Sequence, residues 1–444
     1  MCTTDCELKL AEINSQETHQ RTMFGGLFRK QATTVQAPQA PSAAEAPPPP
    51  PPPPLYSGVP TFACCLSVDP VQQTVAIGSL DGSVHIVSGS TEQRLLPPPG
   101  VDPHPVVQCM LVANEGRLLV LHAPALLHVW SLQGDSAALI AATKLSSSVV
   151  TVGHAVPRSP FAFFGTDDGT ILACDVATGA LSDWSLSVAS SAGTGPLCAL
   201  ELRPADSSLR LLVGVRRGRL LAQPISSPGN EDARHVLFAE HPEAAGLCCA
   251  CWIVSEGGAG GTIAAGYDSG DLLILSLRNP GSATHRLQAS SIGMPLSNVH
   301  DPAHSEASST PPRRAARAIL SVGSSSGAGL LVVGGTTVEA QPDGVVLLKG
   351  TGFRERSLIA PPSGGVLSAV PTGVMGAPLL PNASPAQPES LLLLTTRGQL
   401  LSYSLRTVGS APTRFPDALL IASNDEELAA HPAAPRVRLV LTAW

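Results

Sequence analysis

The chain has 444 residues, 43% of them hydrophobic but only 4% aromatic and 14% charged, with 41 glycines and 42 prolines; such a composition favours many short strands cut by turns over long charged helices. Its 34 acidic residues against 27 basic ones leave a net charge of −7, which offers no global positive field to a nucleic acid and argues against that class of partner. The most apolar stretch, residues 247–254, is far shorter than the roughly 20 residues that span a bilayer, so it reads as one buried strand and the chain is expected to be soluble.

Residues 1–21 mix Asp5, Glu7, Lys9, Glu12 and Glu17 with few apolar side chains. They lack the apolar core of a secretory signal, which points to the cytoplasm. In that reducing compartment the 10 cysteines read as small buried hydrophobes rather than disulfides, and Cys64, Cys65, Cys109, Cys174 and Cys198 all sit inside apolar runs. Phe24, Leu27 and Phe28 followed by Arg29 and Lys30 combine the two terms of interfacial membrane binding. Two charges are few, however, and the cluster reads as part of a disordered proline-rich tail over residues 1–60, whose tract at 47–54 extends as polyproline II.

The folded region is expected over 61–444. There a unit recurs: an apolar strand ending in a small residue and Gly, a short turn, a second Gly, and another strand. It appears as Ala76-Ile77-Gly78 with Gly82, as Phe164-Gly165 with Gly169, as Val213-Gly214 with Gly218, and as Ala265-Gly266 with Gly270. Weaker copies surround Gly398 and run through Gly334 and Gly344. In such a hairpin the second Gly supplies the positive φ of the tight turn, and the first permits close backbone approach. Each copy follows another apolar run, as at 62–68, 106–112, 197–202, 246–254 and 318–322, so each unit holds a further strand.

From Gly169 to Gly218 and on to Gly270 the period is about fifty residues, close to the roughly 40 to 50 of a propeller blade. The gap between Gly82 and Gly169 is twice that, and its missing copy lies at 118–132, where Leu127-His128-Val129-Trp130 ends a strand without the glycine pair. The pattern predicts an all-β, WD-repeat-like β-propeller of about seven four-stranded blades. Residues 279–317, rich in Ser, Pro and His and carrying Arg313, Arg314 and Arg317, have no apolar period and are expected to form one long disordered insertion. A last strand at 437–442 is expected to pair with the first blade and close the ring.

Candidate chemistry is sparse. Gly323-Ser324-Ser325-Ser326-Gly327 has nucleophile-elbow spacing, but that motif needs a helix after it and another strand follows instead, so a hairpin turn accounts for it. Cys248, Cys249 and Cys251 beside Trp252 lack a second ligand pair at metal spacing and read as buried strand. The run from Gly257 to Gly261 lacks the Lys and Ser or Thr of a phosphate loop. His85, His128 and His154 fall within strands, and Asp69, Asp81, Asp167, Asp168 and Asp268 fall in turns, where carboxylates bond nearby amides. No catalytic, metal or cofactor site is expected, and the chain reads as a non-enzymatic binding platform whose partner-contacting residues the sequence does not single out.

Val68-Asp69-Pro70 with Ala76-Ile77-Gly78 and Gly82 resembles the first blade of the lethal giant larvae and tomosyn family. Pro99-Gly100-Val101-Asp102 is similar to that family's connection into blade two, and Leu111, Asn114-Glu115-Gly116, Leu118 and Leu127-His128-Val129-Trp130 are similar to blade two itself. The resemblance is specific over about 62–132 and generic to about 280. It implies a cytoplasmic regulator of vesicle exocytosis, peripherally associated with the plasma membrane, that binds syntaxin-type SNARE proteins. It also implies a second propeller encoded downstream in the same gene. The alternative is a generic WD-repeat adaptor that assembles a cytosolic complex on one face of a single ring.

Overall fold

The computed structural model describes residues 57–405 with several breaks, the widest at 226–234, 289–314, 335–343 and 373–389, together with 421–422 and 437–439. Strand β1 (Ser57–Gly58) is followed by seven antiparallel blades. Blade 1 holds β2 (Ala63–Asp69), β3 (Thr74–Ser79), β4 (Val84–Ser88) and β5 (Thr91–Leu95). Blade 2 holds β6 (Val106–Val112), β7 (Arg117–His122), β8 (Leu126–Ser131) and β9 (Ala138–Lys144), and blade 3 holds β10 (Val150–Ala155), β11 (Phe161–Thr166), β12 (Thr170–Asp175) and β13 (Leu181–Ser187). Blade 4 is β14 (Leu197–Leu202), β15 (Arg210–Val215), β16 (Leu220–Pro224) and β17 (Val236–Leu237). Blade 5 is β18 (Leu247–Ile253), β19 (Thr262–Tyr267), β20 (Leu272–Ser276) and β21 (His285–Leu287). Blade 6 is β22 (Ala316–Ser324), β23 (Gly327–Gly334), β24 (Val345–Lys349) and β25 (Glu355–Ile359), and blade 7 is β26 (Val366–Thr372), β27 (Ser390–Thr395) and β28 (Leu400–Ser404). Every sheet meanders strand to neighbouring strand, as hairpin connections require.

The core lies between blades. Strand β7 is buried along nearly its whole length because both its faces are covered: Leu118 and Val120 pack toward Ala76, Val84 and Ile86 of blade 1, while Leu119 and Leu121 pack toward Val150, Ala162 and Phe164 of blade 3. A leucine taken wholly out of water in this way contributes about 1.5–3 kcal/mol. The outer strands β9 and β13 alternate between exposed and half-buried, since they have a neighbour on one side only. The two glycines of the repeat divide the work as the hairpin argument requires. A Cβ on Gly78 would lie 2.6 Å from both Cys65 Sγ and Val106 Cγ1, so the first glycine is where the next blade presses in. Gly82 has φ 83° and closes the turn.

Three boundaries differ from the sequence expectation. Strand β1 and buried Val59 lie within the span expected as the tail over 1–60; residues 1–56 lie outside the described residues. The insertion expected over 279–317 is entered by strands from both sides. Strand β21 completes blade 5, where Arg286 reaches Asp271 at 2.7 Å, and Ala316 opens blade 6; residues 289–314 lie outside the described residues. Polar β21 carries almost no apolar signal, which is why the composition hides it. Finally, the strand expected at 437–442 is β30 (Val437–Leu439), and it pairs with β1 and with β29 (Ile421–Ala422) rather than with a strand of blade 1. Blade 1 already has its four strands, and the ring closes by packing: Leu66, Val75 and Ile77 meet Leu394 and Leu400 of blade 7, with Val59 between them.

Candidate functional site

The seven inner strands, β2, β6, β10, β14, β18, β22 and β26, are each other's neighbours around the ring. Each carries an irregularity after its first residue, where one residue is skipped by the register with the next strand: Cys64, Val107, Thr151, Cys198, Cys248, Arg317 and Leu367. Such bulges re-aim a side chain at a sheet end. Here four of the seven point it at the next blade. Cys64 donates to Val106 O at 3.1 Å, Thr151 to Leu197 O at 2.7 Å and Cys198 to Leu247 O at 3.5 Å, and a guanidinium nitrogen of Arg317 donates to Val366 O. The bulges therefore both join blades and set the side chains at one end of the ring, which we call the leading rim.

A second ring of contacts defines the same end. In six blades the amide that opens the turn after the second strand donates to the carbonyl just before the inner strand: Leu80 to Phe62, Ala123 to Pro105, Asp167 to Val149, Arg216 to Pro196, Asp268 to Gly246 and Thr396 to Gly365, at 2.7–2.9 Å. In three of these positions the side chain completes a reciprocal bond, with Asp167 accepting from Val149 N at 3.1 Å, Asp268 from Gly246 N at 3.0 Å and Thr396 Oγ1 from Gly365 N at 3.0 Å. Leu80 and Arg216 occupy the same position with exposed side chains that cannot accept such a bond. These two residues shape no turn, and sequence reasoning passed over them.

Around Leu80 the rim is apolar. Phe62 is 61% exposed, Leu80 53%, Leu96 57%, Val107 40% and Leu367 37%. Phe62 and Leu80 are joined by their backbone bond, Pro97 beside Leu96 lies 3.3 Å from the Cβ position of Gly82, and Val107 follows Val106, which presses on Gly78. Leu367 belongs to blade 7, whose inner strand abuts β2. The exposed side chains thus follow one another over blades 7, 1 and 2.

The acids predicted to shape turns do so. Asp69 accepts from Val71 N, Gln72 N and, across to blade 2, Asn114 N at 2.8–3.1 Å. Asp81 accepts from Ser83 N at 2.9 Å and meets Arg94 at 3.2 Å. Asp168 accepts from Thr166 Oγ1 at 2.6 Å and Ser148 Oγ at 2.8 Å, and these hydroxyls hold its carboxyl down at about 2. Around Gly323–Gly327 strands lie on both sides, with Ser324 opposite Gly327, while Ser325 and Ser326 lie outside the described residues. Cys248, Cys249 and Cys251 lie on β18; burial pushes the Cys249 and Cys251 thiols well up, so they stay neutral. The Gly257 to Gly261 run connects β18 and β19, and only Gly261 of it is described. His85, His128 and His154 lie on β4, β8 and β10; burial pulls His128 and His154 down to about 4, and His128 Nε2 is buried with no hydrogen-bond partner among the described residues.

Two polar features escaped the sequence. His241 and Asp271 meet inside blade 5 at 3.2 Å, with Arg286 bridging Asp271 to Glu243 at 2.7 and 2.6 Å. Glu201 on β14 accepts from Trp252 N of β18 at 3.0 Å, and the Trp252 indole donates to Glu201 O at 3.1 Å. Both join elements within or between blades.

No family model matches the sequence. Among solved structures, the chain is similar to U3-55K at 14% identity and a TM-score of 0.54, covering 77% of this chain and 91% of that one. It is similar also to Sqt1 of Saccharomyces cerevisiae, at 15% identity and a TM-score of 0.55 over 80% of this chain and 85% of that one. The third is a chain of the mitotic checkpoint complex, at 12% identity and a TM-score of 0.53 over 85% and 99%. A structure of the WD40 repeats of RRP9 is matched to the same degree as U3-55K. At these identities the likeness concerns the fold, which is a seven-bladed propeller of WD40 type.

Proposed function

We propose that this propeller is a non-enzymatic interaction scaffold that regulates SNARE-dependent vesicle exocytosis by holding a syntaxin-type SNARE protein on its leading rim. The observation that carries the reading is the apolar arc of Phe62, Leu80, Leu96, Val107 and Leu367, since a helix can lie on a rigid loop rim through such anchors. Blades 1 and 2, which supply four of those five residues, are also the blades whose residues resemble the lethal giant larvae and tomosyn family. The acids that might have served as catalysts are occupied with backbone amides, which favours binding over turnover. Among the described residues no helix is long and apolar enough to cross a membrane, in keeping with a peripheral place at the cytoplasmic side of the plasma membrane. The test is retention of purified syntaxin by this chain and by the full product of its gene. Retention that Phe62→Asp abolishes supports the proposal. If both are folded and neither retains syntaxin, the SNARE reading fails and a generic adaptor for a cytosolic complex is the better account.

A further inference from the structure

Blade 2 builds its leading-rim turn from different side chains than its neighbours. In blades 1, 3 and 5 the second strand ends on buried Ser79, Thr166 and Tyr267, and the turns that follow carry Asp81, Asp168 and Asp271. In blade 2 the same position is His122, and the turn after it, Ala123-Pro124-Ala125, has no acid. His122 is 2% exposed and donates from Nδ1 to His104 O at 3.0 Å. One residue on, the Ala123 amide donates to Pro105 O at 2.9 Å. Two consecutive carbonyls of the segment entering blade 2 are therefore held by the end of β7. That segment rests on blade 1, since a Cβ on Gly82 would lie 2.8 Å from His104 O, and it leads directly into Val107, the exposed bulge residue.

His128 of β8 lies beside His122, with the ring centroids 4.4 Å apart and the planes tilted by 56°. It too is 2% exposed, and its Nε2 is buried with no hydrogen-bond partner among the described residues. A neutral ring with its proton on Nδ1 leaves that nitrogen a bare acceptor, whereas a proton added there makes an enclosed cationic N–H with nothing to receive it. The ionisable groups on the elements around the pair are Cys109 of β6, Lys144 of β9, Asp81 with Arg94 in blade 1, and Asp167 and Asp168 in blade 3. Among the described residues none of these bonds to either ring; the charges that act on the pair are those of histidines, His104 on His122 and both of these on His128.

We infer that His122 and His128 form a pH-sensitive latch, which holds the His104–Pro105 segment on blade 1 while both rings are neutral and releases it when they take up protons. Water reached by opening supplies the acceptor that the closed latch denies to His128. The inference stands apart from the identity of any partner, because it concerns how blade 2 is held at the rim.

The test is hydrogen exchange of the full chain at pH 7 and pH 5, expressed as protection relative to the intrinsic rate at each pH, read at the Ala123 amide. Burial pulls both rings down, His128 to about 4 from 6.5, so the latch is closed above 6.5 and weakens as pH falls toward 4. With those two values for the closed and open ring, the Ala123 amide is expected to lose about twentyfold in protection between pH 7 and pH 5. Peptides of β19 in blade 5 are expected to keep theirs. His128→Phe and His128→Gln, which cannot charge, are expected to remove the loss, and His122→Ala, which lacks the donor to His104 O, to lower protection already at pH 7. His122→Asn, which keeps a donor near that place, is expected to restore it. Unchanged protection in the parent chain at pH 5, an equal loss in β19, a loss that persists in either folded His128 variant, or full protection in His122→Ala would overturn the inference.

Discussion

Glu201→Gln is the substitution whose effect the structure determines most sharply. The carboxyl of Glu201 is enclosed between blades 4 and 5, and burial pushes it up to about 7, opposed by the Trp252 amide that donates to Oε2 at 3.0 Å. Below the ordinary carboxyl value of 4.5 the group is neutral in the folded and unfolded chain alike. As pH rises from there to about 7, the unfolded chain releases a proton that the folded chain keeps, so this group's contribution falls across that window and stays low above it. At 1.36 kcal/mol per pH unit the ceiling is about 3 kcal/mol, and the residue's partial exposure lowers the expected value to about 2 kcal/mol. Glutamine keeps an oxygen for the Trp252 amide and carries no charge. Urea unfolding followed by tryptophan fluorescence should find Glu201→Gln close to the parent chain at pH 5 and about 2 kcal/mol more stable at pH 8. A difference that is the same at both values would refute the reasoning, because the histidines that also titrate in this range are common to both chains and cancel.

Other outcomes follow from single contacts. Gly165→Val places a Cβ 2.8 Å from Leu197 Cδ1 of the next blade and should lower stability by about 1–3 kcal/mol, measured by the same unfolding titration. Asp268→Ala deprives Gly246 N of its acceptor and should lower stability by about 1 kcal/mol, with amide exchange at Gly246 rising. His154, pulled down to about 4 from 6.5 by burial, stays neutral in the fold while it charges in the unfolded chain, so stability should fall as pH drops from 6.5 toward 4; His154→Phe should flatten that limb of the melting profile. Leu80→Asp lies at an exposed site and should shift stability by no more than about 0.5 kcal/mol while reducing retention of the partner.

The glycine pair made the blades legible because each glycine answers a distinct steric need, at Gly78 the pressure of Val106 and at Gly82 a positive φ. The second strands of the blades, such as β3, β7 and β19, were legible for a related reason: buried along nearly their whole length, they read as continuous apolar runs. Outer strands such as β5, with the sequence Thr-Glu-Gln-Arg-Leu, and β21, with His-Arg-Leu, are covered on one side only and carry little apolar signal. The rim was hidden differently. Read singly, Leu80 and Arg216 look like any turn residue. Aligning the copies on the first glycine places Leu80, Asp167, Arg216 and Asp268 at one position, and the two that are not aspartate are those with no turn to shape. The bulge residues had no such signal, because their position depends on a register with the neighbouring strand that only the fold reveals.

The central claim, that this propeller works by binding a partner across its leading rim, is met most directly by hydrogen exchange of the full chain with and without purified syntaxin. The account predicts that added syntaxin slows exchange in the peptides carrying the rim amides of Leu80, Ala123 and Arg216. Peptides from the opposite end, which carry the Asp69 turn and Glu115, should be unchanged. Slowed exchange confined to that opposite end, or to the outer strands, would contradict it.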